Sequence, residues 1–276
     1  MTLSESIVRS LSDNLLEDAL EETRTHLKGK PSDQKARHLY IDLLVLAGDY
    51  ERADSQCSLA ATLAPESTMG FALLRNELRA MVAREAWFES GAVPGLPQGP
   101  SELDKLAIRL GIAHRRGDAD DAKTALGSLE ESRGERPMIW NGKQVSDFRD
   151  LDDRLPHGLE VIMSGGAYLW VDLAKVAEVT LSPIARPRDL AFRPAELTLT
   201  DGAVASVLLP AIYYGTGQEA QLRLGRESDW IDEPTGITTG RGQRCFLAGE
   251  ELVSFHETNS LQAIATTTAS KRVAHG

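Results

Sequence analysis

Residues 14–65 read NLLEDALEETRTHLKGKPSDQKARHLYIDLLVLAGDYERADSQCSLAATLAP, and this stretch decides how the first half of the chain folds. Pro31 and Pro65 lie 34 residues apart, and Ala19 and Ala53 repeat the same offset. A 34-residue period of helix, turn and helix is typical of tetratricopeptide (TPR) repeats. Small residues let paired helices approach closely, and proline ends the second helix. The sequence therefore predicts TPR-like antiparallel helix pairs.

Further helices are expected on the C-terminal side of this repeat. Residues 67–89 predict an intervening helix, and Gly117-Asp118 with Ala122 begins a possible third copy. We assign residues 1–136 to one helical domain. Such a stack either supports the rest of the chain or forms a concave groove for a partner helix or peptide, and the sequence leaves both readings open.

Short runs of β-branched and aromatic residues dominate the second half. Examples are residues 159–163 and 168–171, which a Ser-Gly-Gly turn separates, and residues 221–224 are a further candidate. We therefore expect an α+β protein. Its residues 137–276 would form an antiparallel β-domain, either a curled sheet or a small barrel.

Composition excludes several classes of protein. The chain has 276 residues, with 41 acidic residues against 30 Lys and Arg and a formal charge of −11, which disfavours a general nucleic-acid binder. Two distant cysteines support neither a disulfide framework nor a cysteine-based zinc site. The N-terminus lacks a signal peptide, and no apolar run approaches the roughly 20 residues of a membrane span. We expect a cytoplasmic protein without membrane contact.

Two strings partly resemble ligand-binding motifs. The run Asp152-Asp153-Arg154 lacks the glycine and distal glutamate of a calcium loop, so we expect the aspartates to pair with an arginine and a turn backbone. The run from Gly240 to Arg244 lacks the third glycine of a dinucleotide loop and predicts a hairpin or bulge. No nucleophile elbow, phosphate loop or metal-ligand spacing occurs. We predict no catalytic residue, no cofactor and no metal.

The C-terminal half resembles a known family. Five strings carry the likeness in this order: NGKQVSDFRDLDDRL (141–155), LEVIMSGGAYLWV (159–171), RPRDLAFRPAEL (186–197), LRLGRESDW (222–230) and GRGQRCFLAGEE (240–251). They are similar to the ImpE/SciE family, also called TagJ, whose members are accessory proteins encoded with bacterial type VI secretion systems.

The matching positions are mostly glycines and charged residues, which suits a role in defining the β fold. Two positions depart from the family pattern: Asp172 replaces an apolar residue or proline, and residues 213–217 replace the usual turn. The family-motif residues expected to be structural are Asp152, Asp153, Arg154, Arg188, Asp189, Arg223, Gly225, Arg226, Gly240, Gly242, Gln243 and Arg244.

The resemblance implies a non-catalytic adaptor. It would bind the N-terminal helix of the small sheath subunit and associate with the hexameric ATPase that recycles contracted sheath. The β half carries the family strings and is slightly favoured to supply the groove, with Tyr168, Trp170 and Trp230 as partner contacts.

Two other functions compete with this one. An enzyme could use Asp152 and Asp153 with Arg154, Arg188 or Arg226 as an acid–base or phosphoryl-transfer site. A generic repeat chaperone would bind peptides through residues 1–133 alone.

Overall fold

Helices occupy the first half of the chain. The computed structural model describes residues 2–264. Its helices in this half are α1 (Leu3–Ser12), α2 (Leu16–Gly29), α3 (Gln34–Ala47), α4 (Tyr50–Leu63), α5 (Thr68–Ser90), α6 (Glu102–Arg116) and α7 (Ala119–Arg133). None of the described helices is both long enough and apolar enough to cross a membrane.

The 34-residue repeat is visible in the backbone. Helices α2 and α4 begin and end at the same offset, and the turns before them place Asn14 (φ 61°) and Gly48 (φ 75°) in the left-handed region. Ala19 and Ala53 are both fully buried. Short connections make each pair antiparallel, as predicted.

A third copy follows the long helix α5. Gly117 (φ 71°) ends α6 in the left-handed conformation, as Gly48 ends α3. Asp118 then caps α7 through the backbone N–H of Asp121, just as Asp49 caps α4 through Arg52. Such a side chain satisfies one of the free N–H groups at a helix start. The repeat prediction from residues 117–118 is therefore supported by the same cap chemistry.

Strands fill the second half, interrupted by the short helix α8 (Ala220–Arg223). They are β1 (Met138–Trp140), β2 (Lys143–Val145), β3 (Phe148–Asp150), β4 (Gly158–Met163), β5 (Tyr168–Asp172), β6 (Val176–Leu181), β7 (Phe192–Leu199), β8 (Val204–Pro210), β9 (Ser228–Asp232), β10 (Thr238–Gly242), β11 (Cys245–Ala248), β12 (Glu251–Ser254) and β13 (Ser260–Ala263). The strand expected at residues 221–224 is wrong. Arg223 and Leu224 donate their N–H groups to Glu219 and Ala220, which makes that segment helical.

Eight strands form the main sheet in the order β2-β1-β13-β6-β7-β8-β4-β5, and every neighbouring pair is antiparallel. The sheet is open, because β2 and β5 are edges that do not pair with each other. The antiparallel sheet is confirmed, and it is not closed into a barrel. The loop before α6 covers the β5 edge, where Gly95 and Leu169 form a parallel bridge.

The helices and the main sheet share one core. Trp87 of α5 meets Trp170 of β5 edge to face, with ring centroids 4.9 Å apart. Tyr50 of α4 likewise meets Phe192 of β7, at 6.2 Å. Helix α7 ends at Arg133 and β1 starts at Met138, so the architecture changes near the predicted domain boundary at residues 136 and 137. The boundary stays a prediction, and residues 265–276 of the second domain lie outside the described residues.

Candidate functional site

A buried ion network joins α5 to the main sheet. Glu160 of β4 accepts two hydrogen bonds from Arg84 of α5, with Nε to Oε1 at 3.0 Å and Nη2 to Oε2 at 2.9 Å. Arg244 and the Tyr168 hydroxyl also donate to this carboxylate. Burial alone would raise the pKa of Glu160, but the guanidiniums of Arg84 and Arg244 hold it at about 2. Glu160 is therefore a fixed anion at the junction.

The same network extends to Asp150. Arg244 Nη1 lies 2.6 Å from Asp150 Oδ2, and the Tyr213 hydroxyl donates to Oδ1 at 2.8 Å. Burial raises the pKa of Asp150 to about 6, although the charge of Arg244 opposes that rise. Arg244, one of the family-motif residues, thus bridges two carboxylates that lie 84 and 94 residues away in the chain.

The aspartate pair Asp152 and Asp153 holds turns together. Asp152 accepts from Arg154 Nε at 2.7 Å and from the N–H of Gly240 at 2.8 Å. Asp153 accepts from the N–H of Thr238 at 2.7 Å. These bonds are the arginine and turn contacts expected from the sequence, and they occupy both carboxylates.

Two arginines of the family motif, Arg223 at the end of α8 and Arg226 just after it, contact the repeat turns. Arg226 donates to the carbonyls of Leu11 and Ser12 at 2.9 and 3.0 Å, which caps the end of α1. Arg223 lies over Gly48, where a Cβ would stand 2.5 Å from its Nη1. One segment of the β half therefore contacts both repeat turns.

The remaining motif residues also make internal contacts. Asp189 accepts from the N–H groups of Ala185 and Arg186, both at 2.9 Å. Arg188 lies 3.8 Å from Asp42 of α3. The Gln243 amide donates to the Gly225 carbonyl at 2.7 Å. Of the three arginines that the enzyme hypothesis offers as alternatives, Arg154 contacts Asp152, whereas Arg188 and Arg226 make other contacts.

The aromatic residues expected to contact a partner are mostly interior. Tyr168 and Trp170 are 4% and 1% exposed, and the Trp170 indole N–H donates to the Tyr168 hydroxyl at 2.7 Å. Both side chains face the helices, which corrects the expectation that they form a contact surface. Trp230 is half-buried and packs edge to face on Tyr213, with centroids 5.6 Å apart.

The largest cavities described lie among the helices instead. Two adjoining depressions of about 590 and 430 Å³ share Tyr50, Glu51 and Val82, and we call them together the α4–α5 groove. Its apolar wall is formed by Leu20, Leu44, Tyr50, Leu78 and Val82, and acidic side chains at its rim include Glu17, Glu51 and Glu85. Val82 is 50% exposed, so its side chain is accessible from the groove.

Sequence reasoning missed this groove. Val82 belongs to a helix whose apolar residues are distributed around more than one face, so periodicity does not separate the buried from the exposed ones. The sequence signal that could have indicated a groove was the position of the α5 segment directly after the two repeats. The structure shows that α5 packs against α4.

One buried cluster has the composition of a metal site. Donor atoms of Asp104, His157 and Asp172 lie within 4.8 Å of one another. Each carboxylate is already engaged, because Asp104 accepts from the Ser101 N–H at 2.7 Å and Asp172 from the Ala174 N–H at 2.8 Å. Lys175 Nζ also stands 3.6 Å from Asp104 and supplies a positive charge there. These contacts indicate a structural role for the cluster, which joins α6 to the sheet.

The fold and these contacts define an α+β protein in which TPR-like helix pairs are locked onto an open antiparallel sheet by buried ion pairs. Residues 142–262 match the family model described as "ImpE protein". The resemblance to the ImpE family is therefore confirmed.

Two known proteins are similar over most of the chain. "Type VI secretion system accessory component TagJ" from Pseudomonas aeruginosa is 29% identical over 247 residues, which cover 85% of this chain and 83% of that protein. The crystal structure of protein VPA1032 from Vibrio parahaemolyticus superimposes with a TM-score of 0.87 at 28% identity. That match covers 95% of this chain and 98% of the other, so the whole fold is shared.

Proposed function

We propose that the chain is a non-catalytic, cytoplasmic adaptor of a bacterial type VI secretion system. We further propose that it binds the N-terminal helix of the small sheath subunit in the α4–α5 groove and associates with the ATPase that recycles the sheath. The accessory role is supported by the similarity to the Pseudomonas protein of that name. The proposed binding site is supported by the presence of the α4–α5 groove.

The shape and chemistry of the groove suit a helix. The groove lies along α4 and α5, and the exposed Val82 in its apolar wall offers a contact for the apolar face of an amphipathic helix. Burying one such side chain is worth about 1.5–3 kcal/mol. The buried positions of Tyr168 and Trp170 move the proposed contact from the β half to the helical half.

Asp152 and Asp153 already accept hydrogen bonds within the protein, which supports a structural role for them over a catalytic one. A chaperone acting through residues 1–133 alone is also less well supported. Removing the sheet would expose Trp87 and Arg84, which are 1% and 4% exposed in the intact chain.

A peptide titration with the intact chain tests the proposal. A labelled peptide of the sheath subunit's N-terminus should bind the parent protein, and Val82→Asp should weaken binding at least tenfold because it places a charge in the apolar wall. Leu73→Asp is the matched control, since Leu73 lies on the same helix, is 47% exposed and does not line the groove. Absence of binding at several hundred micromolar peptide, or equal loss in both variants, would refute this site.

A further inference from the structure

A second, smaller cavity lies where α5, α6 and the loop after β8 meet. It has a volume of about 100 Å³, and its walls are the rings of Trp87, Phe88 and Tyr214. Phe88 and Tyr214 stack nearly parallel, with centroids 4.4 Å apart. The polar side chains that line it are those of His114, Arg115 and Arg154, and none of its lining residues is acidic.

Arg115 has an unusual environment among the arginines of this region. Its Nη1 donates to the Trp87 carbonyl at 3.0 Å, and its guanidinium carbon lies 4.5 Å from the centroid of the Trp87 ring. Arg84, Arg154 and Arg244 each pair with a buried carboxylate. Within residues 2–264 Arg115 forms no such pair, and burial lowers its pKa with no acid opposing it.

The neighbouring groups do not neutralise this charge. Arg154 is matched by Asp152, and His114 Nδ1 is hydrogen-bonded to Thr235 Oγ1 at 2.7 Å. Glu89 stands 3.4 Å from the Tyr214 hydroxyl, at the exposed side of that ring. A half-buried cation without a counter-ion carries a desolvation cost, which an anion in the cavity would offset.

We propose that this cavity binds a single carboxylate group, held by the Arg115 guanidinium between the aromatic walls. Guanidinium matches carboxylate in geometry because two parallel N–H donors face two oxygens. A cavity of about 100 Å³ has room for an acetate-sized group. The group can come from a free small carboxylate or from an acidic side chain. This cavity shares no lining residue with the α4–α5 groove.

The test compares Arg115 with its neighbour. Parent protein, Arg115→Met and the matched control Arg116→Met, whose arginine is exposed on the same helix, are titrated with sodium acetate at constant ionic strength set by chloride. The indole N–H signal of Trp87 in 1H–15N spectra reports occupancy. Acetate should shift that signal in the parent and in Arg116→Met, and the apparent affinity should fall at least tenfold in Arg115→Met.

A second arm separates the two sources of the carboxylate. Acetyl-Ala-Glu-Ala-amide is titrated beside its Gln analogue. Tighter binding of the Glu peptide than of acetate identifies a side chain as the ligand, and the reverse identifies a free anion. If Arg115→Met fails to fold, Arg115→Lys should weaken binding severalfold while Arg116→Lys leaves it unchanged. No response to either ligand, or equal responses in the Arg115 and Arg116 variants, would overturn the proposal.

Discussion

Arg84 of α5 and Glu160 of β4 lie 76 residues apart in the chain and form a two-pronged ion pair whose side chains are only 5% and 3% exposed. Arg84 also donates to the Ile212 carbonyl at 3.1 Å, so one guanidinium joins a helix, a strand and a loop. This contact fixes the helical half against the sheet.

Replacing Glu160 should destabilise the fold strongly. Glu160→Gln leaves Arg84 and Arg244 without their shared anion, and breaking a buried pair costs about 3–5 kcal/mol. Urea unfolding would measure the loss in free energy of unfolding. Glu196→Gln, at an exposed position of β7, should change it by less than ~0.5 kcal/mol. Similar losses in both variants would contradict the assigned role of the network.

The same network predicts a pH dependence. The folded pKa of Glu160, about 2, lies below its ordinary value of 4.5, so its stabilisation is complete above that value and is lost as the pH falls towards 2. Asp150 acts in the opposite sense, because its folded pKa of about 6 exceeds 3.8 and its contribution is lost as the pH rises through 6. The stability gap between the parent and Glu160→Gln should therefore narrow below about pH 4.5. A gap that is constant from pH 7 to pH 3 would contradict the low pKa.

Gly242 should tolerate no side chain. Its φ is 72°, and a Cβ there would stand 2.1 Å from the Glu227 carbonyl oxygen. Gly242→Ala should cost more than the roughly 1–2 kcal/mol of left-handed strain alone. Gly202→Ala isolates that strain, because Gly202 has a φ of 90° and nothing within 4 Å of the added Cβ. Thermal unfolding of the two variants should place Gly242→Ala clearly lower, and equal melting temperatures would refute the steric argument.

Ala53 should be sensitive to size. It is fully buried where α4 packs on its neighbours, so Ala53→Leu should overpack the contact and cost about 1–3 kcal/mol. Ser58→Leu adds a leucine to an exposed position of the same helix and serves as the control in chemical denaturation. If both variants were equally stable, the close helix approach at this repeat position would be wrong.

Sheath-peptide binding should depend on apolar anchors more than on charge. Exposed ion pairs with rim residues such as Glu17 and Glu51 contribute only ~0–1 kcal/mol each. Raising salt moderately should therefore change the Kd little, whereas changing the peptide's apolar anchors to Asp should abolish binding. A titration at two salt concentrations measures both effects, and loss of binding in moderate salt would contradict the apolar mode.

The purified protein should bind neither zinc nor nucleotide tightly. The contacts of Lys175, Ser101 and Ala174 already serve the carboxylates of Asp104 and Asp172. Elemental analysis should give far less than one zinc per chain. Near-stoichiometric zinc that disappears in Asp172→Asn would show that this cluster is a metal site, and a nucleotide-dependent rise in melting temperature would overturn the non-catalytic proposal.

The sequence alone determined the local architecture. The 34-residue offset placed α2 and α4, and the Gly-Asp pairs at 48–49 and 117–118 marked the repeat turns, because caps and turns depend on residues close in the chain. The Ser-Gly-Gly turn placed the hairpin of β4 and β5 for the same reason. The ordered strings of the second half also revealed the resemblance to the ImpE family.

Tertiary structure alone decided which side chains meet across the two halves. No sequence pattern indicates that Arg84 and Glu160 form an ion pair. The sequence suggested that Tyr168 and Trp170 lie on the surface, whereas in the structure α5 covers them. Val82 and Arg115 became candidates for binding only because packing left one apolar side chain exposed and one cation half-buried without a carboxylate. Burial and ion pairing depend on residues far apart in the chain, so no local pattern can specify them.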